Sequence, residues 1–164
     1  MNTQFFLAPL IPGKMNTYIY EREDDYYNMY RNSLFGLTYK KAGWDCLRHY
    51  EILMNGCIPF FLDLRNCPKY SLISFPKKKI ELLNTRYMEL LSFYNPFKIY
   101  KKKFLTIDRI FSYMKSIFKK KNFEDVMSNS QLYEERVELL NYTNKYLTTD
   151  NLAKSILSLI KSKN

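Results

Sequence analysis

Two charged side chains, Arg48 and Glu51, lie three residues apart in the run GWDCLRHYEILMNGCIP, residues 43–59. At this spacing they project from the same side of any helix that carries them. A cation and a carboxylate near a helix N-terminus suit a nucleoside diphosphate, because the cation and the helix end bind phosphate while the carboxylate binds ribose hydroxyls. An ordinary ion pair within the helix, worth only a few tenths of a kcal/mol, is the alternative, and spacing alone favours it.

A strand, a helix and a second strand must position these side chains. The run SLFGLTY predicts a strand at residues 33–39, the following pattern predicts a helix at residues 44–54, and IPFFL predicts a strand at residues 58–62. Asn55-Gly56 ends the helix, because both residues tolerate the left-handed conformation that a terminal turn needs. The second strand is apolar on both faces, as a central parallel strand should be. The sequence therefore predicts an α/β layered unit.

Ligands in open parallel sheets bind outside the carboxyl ends of the strands, next to helix N-termini. Residues 40–45 and Asp63 occupy this edge of the predicted unit. Lys40 and Lys41 add positive charge there, and Gly43 allows close backbone approach. The first-turn N–H groups of the helix are further unpaired donors. This edge is the candidate phosphate site.

Other reactive residue types in the same stretch have simpler interpretations. Trp44 is either a packing residue or a platform for a base, and packing is the more common role. His49 is rotated off the Arg48 face, so we interpret it as a structural or surface residue. Cys46 and Cys57 read as small buried apolar residues. A thiol nucleophile made of Cys46 and His49 has no third orienting group and is weakly supported.

The remaining elements are predicted from local patterns. The N-terminal residues contain a Pro12-Gly13 turn and a β-prone run, TYIY, that predicts a short strand at residues 17–20. The acidic cluster EREDD predicts a helix that continues through Tyr30, with acids in its first turn. Further helices are predicted at residues 77–92, 105–120, 131–147 and 150–161.

Bulk composition excludes several classes of protein. The 164 residues fit one domain, and three cysteines without a CxxC pair, together with a single histidine, argue against a zinc site or a disulfide framework. No apolar run reaches the length of a membrane span, and no signal peptide is visible. The sequence also lacks GxGxxG, Walker, GxSxG and HExxH motifs. We expect a soluble protein in a reducing compartment, with the cytoplasm as the default location.

The net charge of +10 comes from the middle of the chain, where residues 69–121 carry fourteen Lys and Arg against three acids. A solvated lysine-rich surface is one explanation. A face for nucleic acid, an anionic membrane or an acidic partner is the other. Local charge does not choose between them.

The run from Ser33 to Pro59 closely resembles the donor-binding motif of exostosin-like glycosyltransferases and, more widely, of GT-B-fold enzymes that use nucleotide sugars. That motif has a serine-phenylalanine strand, a glycine-rich turn, an arginine shortly before a glutamate, and a Gly-Cys-Ile-Pro entry into the next strand. The matching residues are Ser33, Phe35, Gly43, Arg48, Glu51, Gly56, Cys57, Ile58 and Pro59. The likeness is strong over residues 26–68. It is loose over residues 139–157, which are similar to the closing helices of viral and protist relatives.

By this resemblance Arg48 contacts the donor pyrophosphate and Glu51 the donor ribose, while Gly43 and its neighbours contact phosphate or sugar. The donor-binding residues that it implies are Lys41, Gly43, Trp44, Asp45, Arg48, Glu51 and Asp63. Neither a metal nor another cofactor is expected, since GT-B enzymes stabilise the leaving diphosphate with helix dipoles and basic side chains. Many retaining GT-B enzymes also carry a second glutamate eight residues earlier, but Gly43 occupies that position here. No catalytic residue is identified.

The fold that the resemblance implies is a truncated Rossmann-like C-terminal domain of a GT-B enzyme. We expect a small parallel sheet of three or four strands followed by several helices. Residues 1–164 would form one partial donor-binding domain, with the α/β unit in residues 1–68 and a mainly helical part in residues 69–164.

The implied function is sugar transfer from a nucleotide-diphosphate sugar to a glycan or protein acceptor. Most of a complete GT-B enzyme is missing from the sequence, so activity would require a second polypeptide that supplies the N-terminal half. The alternative is a non-catalytic remnant, or an interaction module whose basic segment, residues 69–121, contacts nucleic acid or an anionic membrane.

Overall fold

A computed structural model of the chain describes residues 3–87 and 130–161, in which three parallel strands form one sheet. The strands are β1 (Phe5–Leu7), β2 (Ser33–Thr38) and β3 (Ile58–Phe61), in the spatial order β1-β2-β3. In register, Phe5 pairs with Ser33, and Phe35 pairs with Ile58. The predicted α/β class and the small parallel sheet are confirmed.

Five α-helices accompany the sheet in the described residues: α1 (Glu23–Arg31), α2 (Leu47–Met54), α3 (Lys77–Arg86), α4 (Ser130–Tyr146) and α5 (Thr149–Lys161). Short 3₁₀ turns lie at Met15–Thr17 and Leu64–Asn66. None of the helices in this part of the chain has the length and apolar character needed to cross a membrane.

The sheet is covered on both faces. A Cβ built on Gly36 of β2 would lie 3.0 Å from the side chain of Ile52, so α2 packs closely against this face. On the other face, the ring of Phe35 lies 5.7 Å from that of Tyr87, at the end of α3. All residues of β2 and β3 are buried, which is typical of parallel strands between helical layers.

The outer edge of β3 is covered by a side chain that acts in place of a fourth strand. The amide of Asn84 donates to the carbonyl of Pro59 (3.0 Å) and accepts from the N–H of Phe61 (3.1 Å) in its hydrogen-bonding orientation. Pro59 fits an edge strand because the N–H that it lacks would point away from β2. The edge is therefore closed by α3.

Helix α2 ends as its sequence predicts. Gly56 has a φ of 66°, and its N–H donates to the carbonyl of Leu53 at 3.0 Å. The N–H of Cys57 donates to the carbonyl of Ile52 at 3.1 Å, which completes a Schellman cap. This cap turns the chain directly into β3.

Two predictions about the N-terminal half are wrong. The β-prone run at residues 17–20 is not a strand, because the hydroxyl of Thr17 bonds to the carbonyls of Ile11 and Lys14 and folds the segment into a compact loop. The first strand lies earlier, at Phe5–Leu7. Helix α2 begins at Leu47 rather than at residue 44.

The C-terminal helices agree with the prediction where they are described. Helices α4 and α5 match the predicted helices at residues 131–147 and 150–161. The helix predicted at residues 77–92 is confirmed up to Arg86. Its end, and the helix predicted at residues 105–120, lie outside the described residues.

Arg136 of α4 is almost fully buried and joins several elements at the amino ends of the strands. Its Nε donates to the carbonyl of Gly56 (2.7 Å), and Nη2 donates to the carbonyls of Ser33 (3.2 Å) and Arg31 (3.4 Å). Nη1 donates to the hydroxyl of Thr3 at 2.7 Å. One side chain thus fixes the ends of α1 and α2 and the start of β2.

Replacing Arg136 with Met should lower the free energy of unfolding by about 3 kcal/mol or more, because several buried carbonyls lose their donor. Urea denaturation followed by circular dichroism measures the change. The matched control is Arg65→Met, at an exposed arginine, which should change stability by no more than about 0.5 kcal/mol. Equal unfolding midpoints for Arg136→Met and the wild type would contradict the assignment.

Gly36→Ala should destabilise the protein by roughly 1–3 kcal/mol, because the new methyl group overlaps the Ile52 side chain. Gly43→Ala is the control, since a Cβ there would meet only the carbonyl of Asp45 at 4.0 Å. A second substitution, Ile52→Val, should recover part of the loss in the Gly36→Ala background. The close packing of α2 on β2 is refuted if both glycine variants unfold at the wild-type temperature.

Candidate functional site

Loops at the carboxyl ends of the three strands meet at one edge of the sheet. The hydroxyl of Tyr39, after β2, donates to the carbonyl of Pro12, in the loop after β1, at 2.8 Å. The N–H of Lys40 donates to the carboxylate of Asp63, after β3, at 3.1 Å. These bonds hold the three loops together around the N-terminus of α2.

Arg48 lies in the first turn of α2 and turns toward the loop that follows β1. Its Nη2 donates to the hydroxyl of Tyr18 at 2.9 Å. Its Nη1 is buried and has no hydrogen-bond partner within residues 3–87 and 130–161. Since buried polar atoms are nearly always paired with protein, water or ligand, this unused donor makes Arg48 a candidate ligand contact.

Glu51 lies one turn later, and α1 supplies its partner. The hydroxyl of Tyr26 donates to Oε2 of Glu51 at 2.8 Å. Burial raises the pKa of Tyr26 to about 12, and the neighbouring carboxylate of Glu51 contributes in the same direction. Because the single Tyr26 proton goes to the carboxylate, the Tyr30 hydroxyl at 3.5 Å must donate to Tyr26 rather than accept.

The Arg48–Glu51 ion pair that the spacing favours does not form. Two ion pairs join side chains within residues 3–87 and 130–161, Lys79–Glu138 and Arg86–Glu135, and both lie elsewhere. Arg48 and Glu51 share a side of α2, as the spacing predicts, but each is bonded to a different tyrosine. Both charged groups are thereby kept from neutralising each other.

The first turn of α2 contains no acid, and its N-cap residue Cys46 makes no side-chain capping bond. The guanidinium of Arg48 therefore lies beside the positive end of the helix dipole. Asp45, directly before the N-cap residue, and Asp63 act electrostatically on His49 in the same turn, so two carboxylates offset part of this charge. By contrast, α1 carries three acids in its first turn.

The loop before α2 holds four of the other predicted donor residues. Lys41 is exposed, and the space beside Gly43 is open, since a Cβ there would meet only the carbonyl of Asp45. Asp45 bonds to the hydroxyl of Tyr50, whose pKa is raised by burial and, in second place, by this bond. The chain itself gives Gly43 no steric reason to be glycine.

Trp44 packs toward β3. Its ring lies 6.3 Å from that of Phe61, with an interplanar angle of 30°, and Nζ of Lys40 lies 5.4 Å from its ring centre. The packing role that we consider more common for Trp44 is therefore observed.

His49 is buried and structural. Its Nε2 must donate to the carbonyl of Trp44 (3.0 Å), since that oxygen can only accept, and Nδ1 then accepts from the hydroxyl of Thr38 (2.8 Å). Burial lowers the pKa of His49 to about 4. Both nitrogens are engaged, so His49 does not serve as a base for Cys46.

Sequence reasoning missed Tyr18 and Tyr26, which hold the two predicted site residues. The spacing of Tyr26 and Tyr30 on one side of α1 was a visible signal for a phenol pair, but nothing local indicated its target. A shallow cavity of about 510 Å³, lined in part by Phe5, Tyr20 and Asp25, contains none of the predicted donor residues.

In the described ranges, no group of three or more His, Cys, Asp or Glu side chains lies close enough to hold a metal ion. No protein-family model, curated protein or solved structure shows significant similarity to this chain. The resemblance to exostosin-like glycosyltransferases therefore stays a prediction that rests on the motif residues.

The single histidine of the chain should titrate near pH 4, well below the usual 6.5, because the buried ring disfavours the charged form. Proton NMR of the ring C–H signals on tag-free protein measures the midpoint. The folded state binds fewer protons than the unfolded state between about pH 6.5 and 4, so His49 reduces stability as the pH falls through this range. A midpoint near 6.5 in folded protein would contradict the buried, doubly bonded ring.

Proposed function

We propose that this chain binds a nucleotide-diphosphate sugar at the N-terminus of α2 and functions as the donor-binding part of a glycosyltransferase. The observation that carries the proposal is the buried Nη1 of Arg48, which has no hydrogen-bond partner among the described residues and lies in the first turn of α2. A diphosphate supplies both the acceptor oxygens and the negative charge that this arrangement lacks.

The roles of the individual residues follow from their chemistry. Arg48 binds a phosphate oxygen through Nη1 once the guanidinium turns this buried atom toward the ligand, and Lys41 adds positive charge from the loop. The open space beside Gly43 admits the phosphates to the backbone. Glu51 accepts hydrogen bonds from the vicinal hydroxyls of the ribose, since one of its oxygens is already oriented by Tyr26.

The remaining predicted residues have supporting roles in this proposal. Trp44, Asp45 and Asp63 shape the edge on the β3 side, where Asp63 holds the backbone of Lys40. Arg48 and the helix dipole would stabilise the leaving diphosphate during sugar transfer, so the proposed chemistry needs no metal. The acceptor would be a glycan or a protein.

Calorimetric titration with UDP and GDP tests the proposal. The wild type should bind at least one of them with a dissociation constant below about 1 mM, and Arg48→Ala should weaken binding about tenfold or more, because a charge-assisted hydrogen bond is lost. Arg65→Ala is the matched control, at an exposed arginine that bonds to Thr85 instead. Glu51→Ala should weaken UDP binding but leave pyrophosphate binding nearly unchanged.

Two results would reject the donor-site proposal. One is an absence of binding to either nucleotide at millimolar concentration. The other is binding that is equal in wild type and Arg48→Ala and falls steeply with salt, which indicates phosphate contacts by the lysine-rich segment, residues 69–121, and favours a nucleic-acid or membrane-surface role.

A further inference from the structure

Arg48 and Glu51 each bond to a tyrosine hydroxyl instead of to each other. The spacing of three along α2 places the guanidinium and the carboxylate within reach of each other. In the structure Glu51 instead accepts from Tyr26, and Arg48 donates to Tyr18. The result is a carboxylate with one ordered partner and a guanidinium with an unused Nη1.

The hydrogen bond from Tyr26 to Glu51 competes with an Arg48–Glu51 ion pair. A phenol that donates to a carboxylate forms a charge-assisted hydrogen bond, which is shorter and stronger than a bond between neutral groups. Tyr26 is held in place by α1, and Tyr30, which is fully buried, donates to it from the next turn. A flexible guanidinium loses more side-chain entropy to reach the same carboxylate.

The Tyr18 contact differs in character. Tyr18 lies outside the α-helices and is 39% exposed. Its hydroxyl occupies Nη2 of Arg48 and leaves Nη1 directed elsewhere. Tyr18 orients the guanidinium, while Tyr26 removes the carboxylate that would otherwise bind it.

We propose that Tyr26 is a positioning residue of the donor site, which holds Glu51 away from Arg48 and so keeps the guanidinium available for a diphosphate. The inference rests on the proposed function, because the ligand of Arg48 is the diphosphate proposed above. The competition between Tyr26 and Arg48 for Glu51 is a property of this chain alone. Without the Tyr26 hydroxyl, the carboxylate turns to Arg48, and the internal ion pair competes with any phosphate ligand.

Titration with inorganic pyrophosphate tests the inference, because this probe has no ribose and reports on Arg48 without a direct role for Glu51. Tyr26→Phe should weaken pyrophosphate binding about fivefold or more relative to wild type. Adding Glu51→Gln to Tyr26→Phe should restore the affinity to within about twofold of Glu51→Gln alone, since a neutral amide does not form the ion pair. Tyr142→Phe, which removes a hydroxyl bonded to the carbonyl of Ser74, is the control.

The recovery of binding in the Tyr26→Phe, Glu51→Gln double variant distinguishes a positioning role of Tyr26 from a merely structural one. If Tyr26→Phe only loosened the contact between α1 and α2, a second substitution at Glu51 would not recover binding. Tyr30→Phe is a milder second variant, which removes the donor that orients Tyr26 and should weaken pyrophosphate binding by a smaller factor. Wild-type affinity in Tyr26→Phe would overturn the inference and leave the proposed function standing.

A ligand-free measurement decides the inference if the wild type fails to bind pyrophosphate, which would count against the proposed function. A crystal structure of ligand-free Tyr26→Phe should place the carboxylate of Glu51 within about 4 Å of the guanidinium of Arg48, as an ion pair. A carboxylate that stays clear of Arg48 in this variant would overturn the inference.

Discussion

The hydrogen bonds of the buried Arg136 guanidinium connect the sheet to the helices around it. An isolated charge in a protein interior is costly, yet no carboxylate in the described ranges forms an ion pair with it. Its partners are the carbonyl at the end of α1, the carbonyl after α2, the first carbonyl of β2 and the hydroxyl of Thr3. Helix C-termini carry partial negative charge, so this site combines hydrogen bonding with favourable helix dipoles. Burial lowers the pKa of Arg136, but an arginine stays charged, and the geometry satisfies that charge.

At the opposite edge of the sheet, Arg48 lies at a helix N-terminus instead of at helix C-termini. Arg136 lies at the carbonyl ends of two helices, whereas Arg48 lies at the N–H end of α2, where the helix dipole repels it. Among the described residues, Arg136 has partners for all of its nitrogens, while Arg48 bonds to Tyr18 and keeps one unused donor. The chain therefore has a satisfied arginine at one edge of the sheet and an incompletely bonded one at the other. Since local rules are most often broken at functional sites, this asymmetry is the physical basis for the proposed anion site.

Sequence reasoning succeeded where the determinants are local and failed where they are distant. Strands β2 and β3 follow from buried apolar runs, and the end of α2 follows from Asn55-Gly56. Strand β1 is only three residues long and is defined by its pairing with β2, so local propensity does not identify it. The shared side of Arg48 and Glu51 follows from helix geometry, but the tyrosines that bind them lie 30 and 25 residues away along the chain. Arg136 lies 80 residues from Gly56, so no local pattern predicts that contact.

A crystal structure of the chain with UDP tests the proposed donor site directly. We predict that a phosphate oxygen lies within hydrogen-bond distance of Nη1 of Arg48, and that the ribose hydroxyls contact the carboxylate of Glu51 while Tyr26 keeps its bond. A nucleotide bound elsewhere, for example in the cavity beside Phe5 and Asp25, with Nη1 of Arg48 still unpaired, would contradict it.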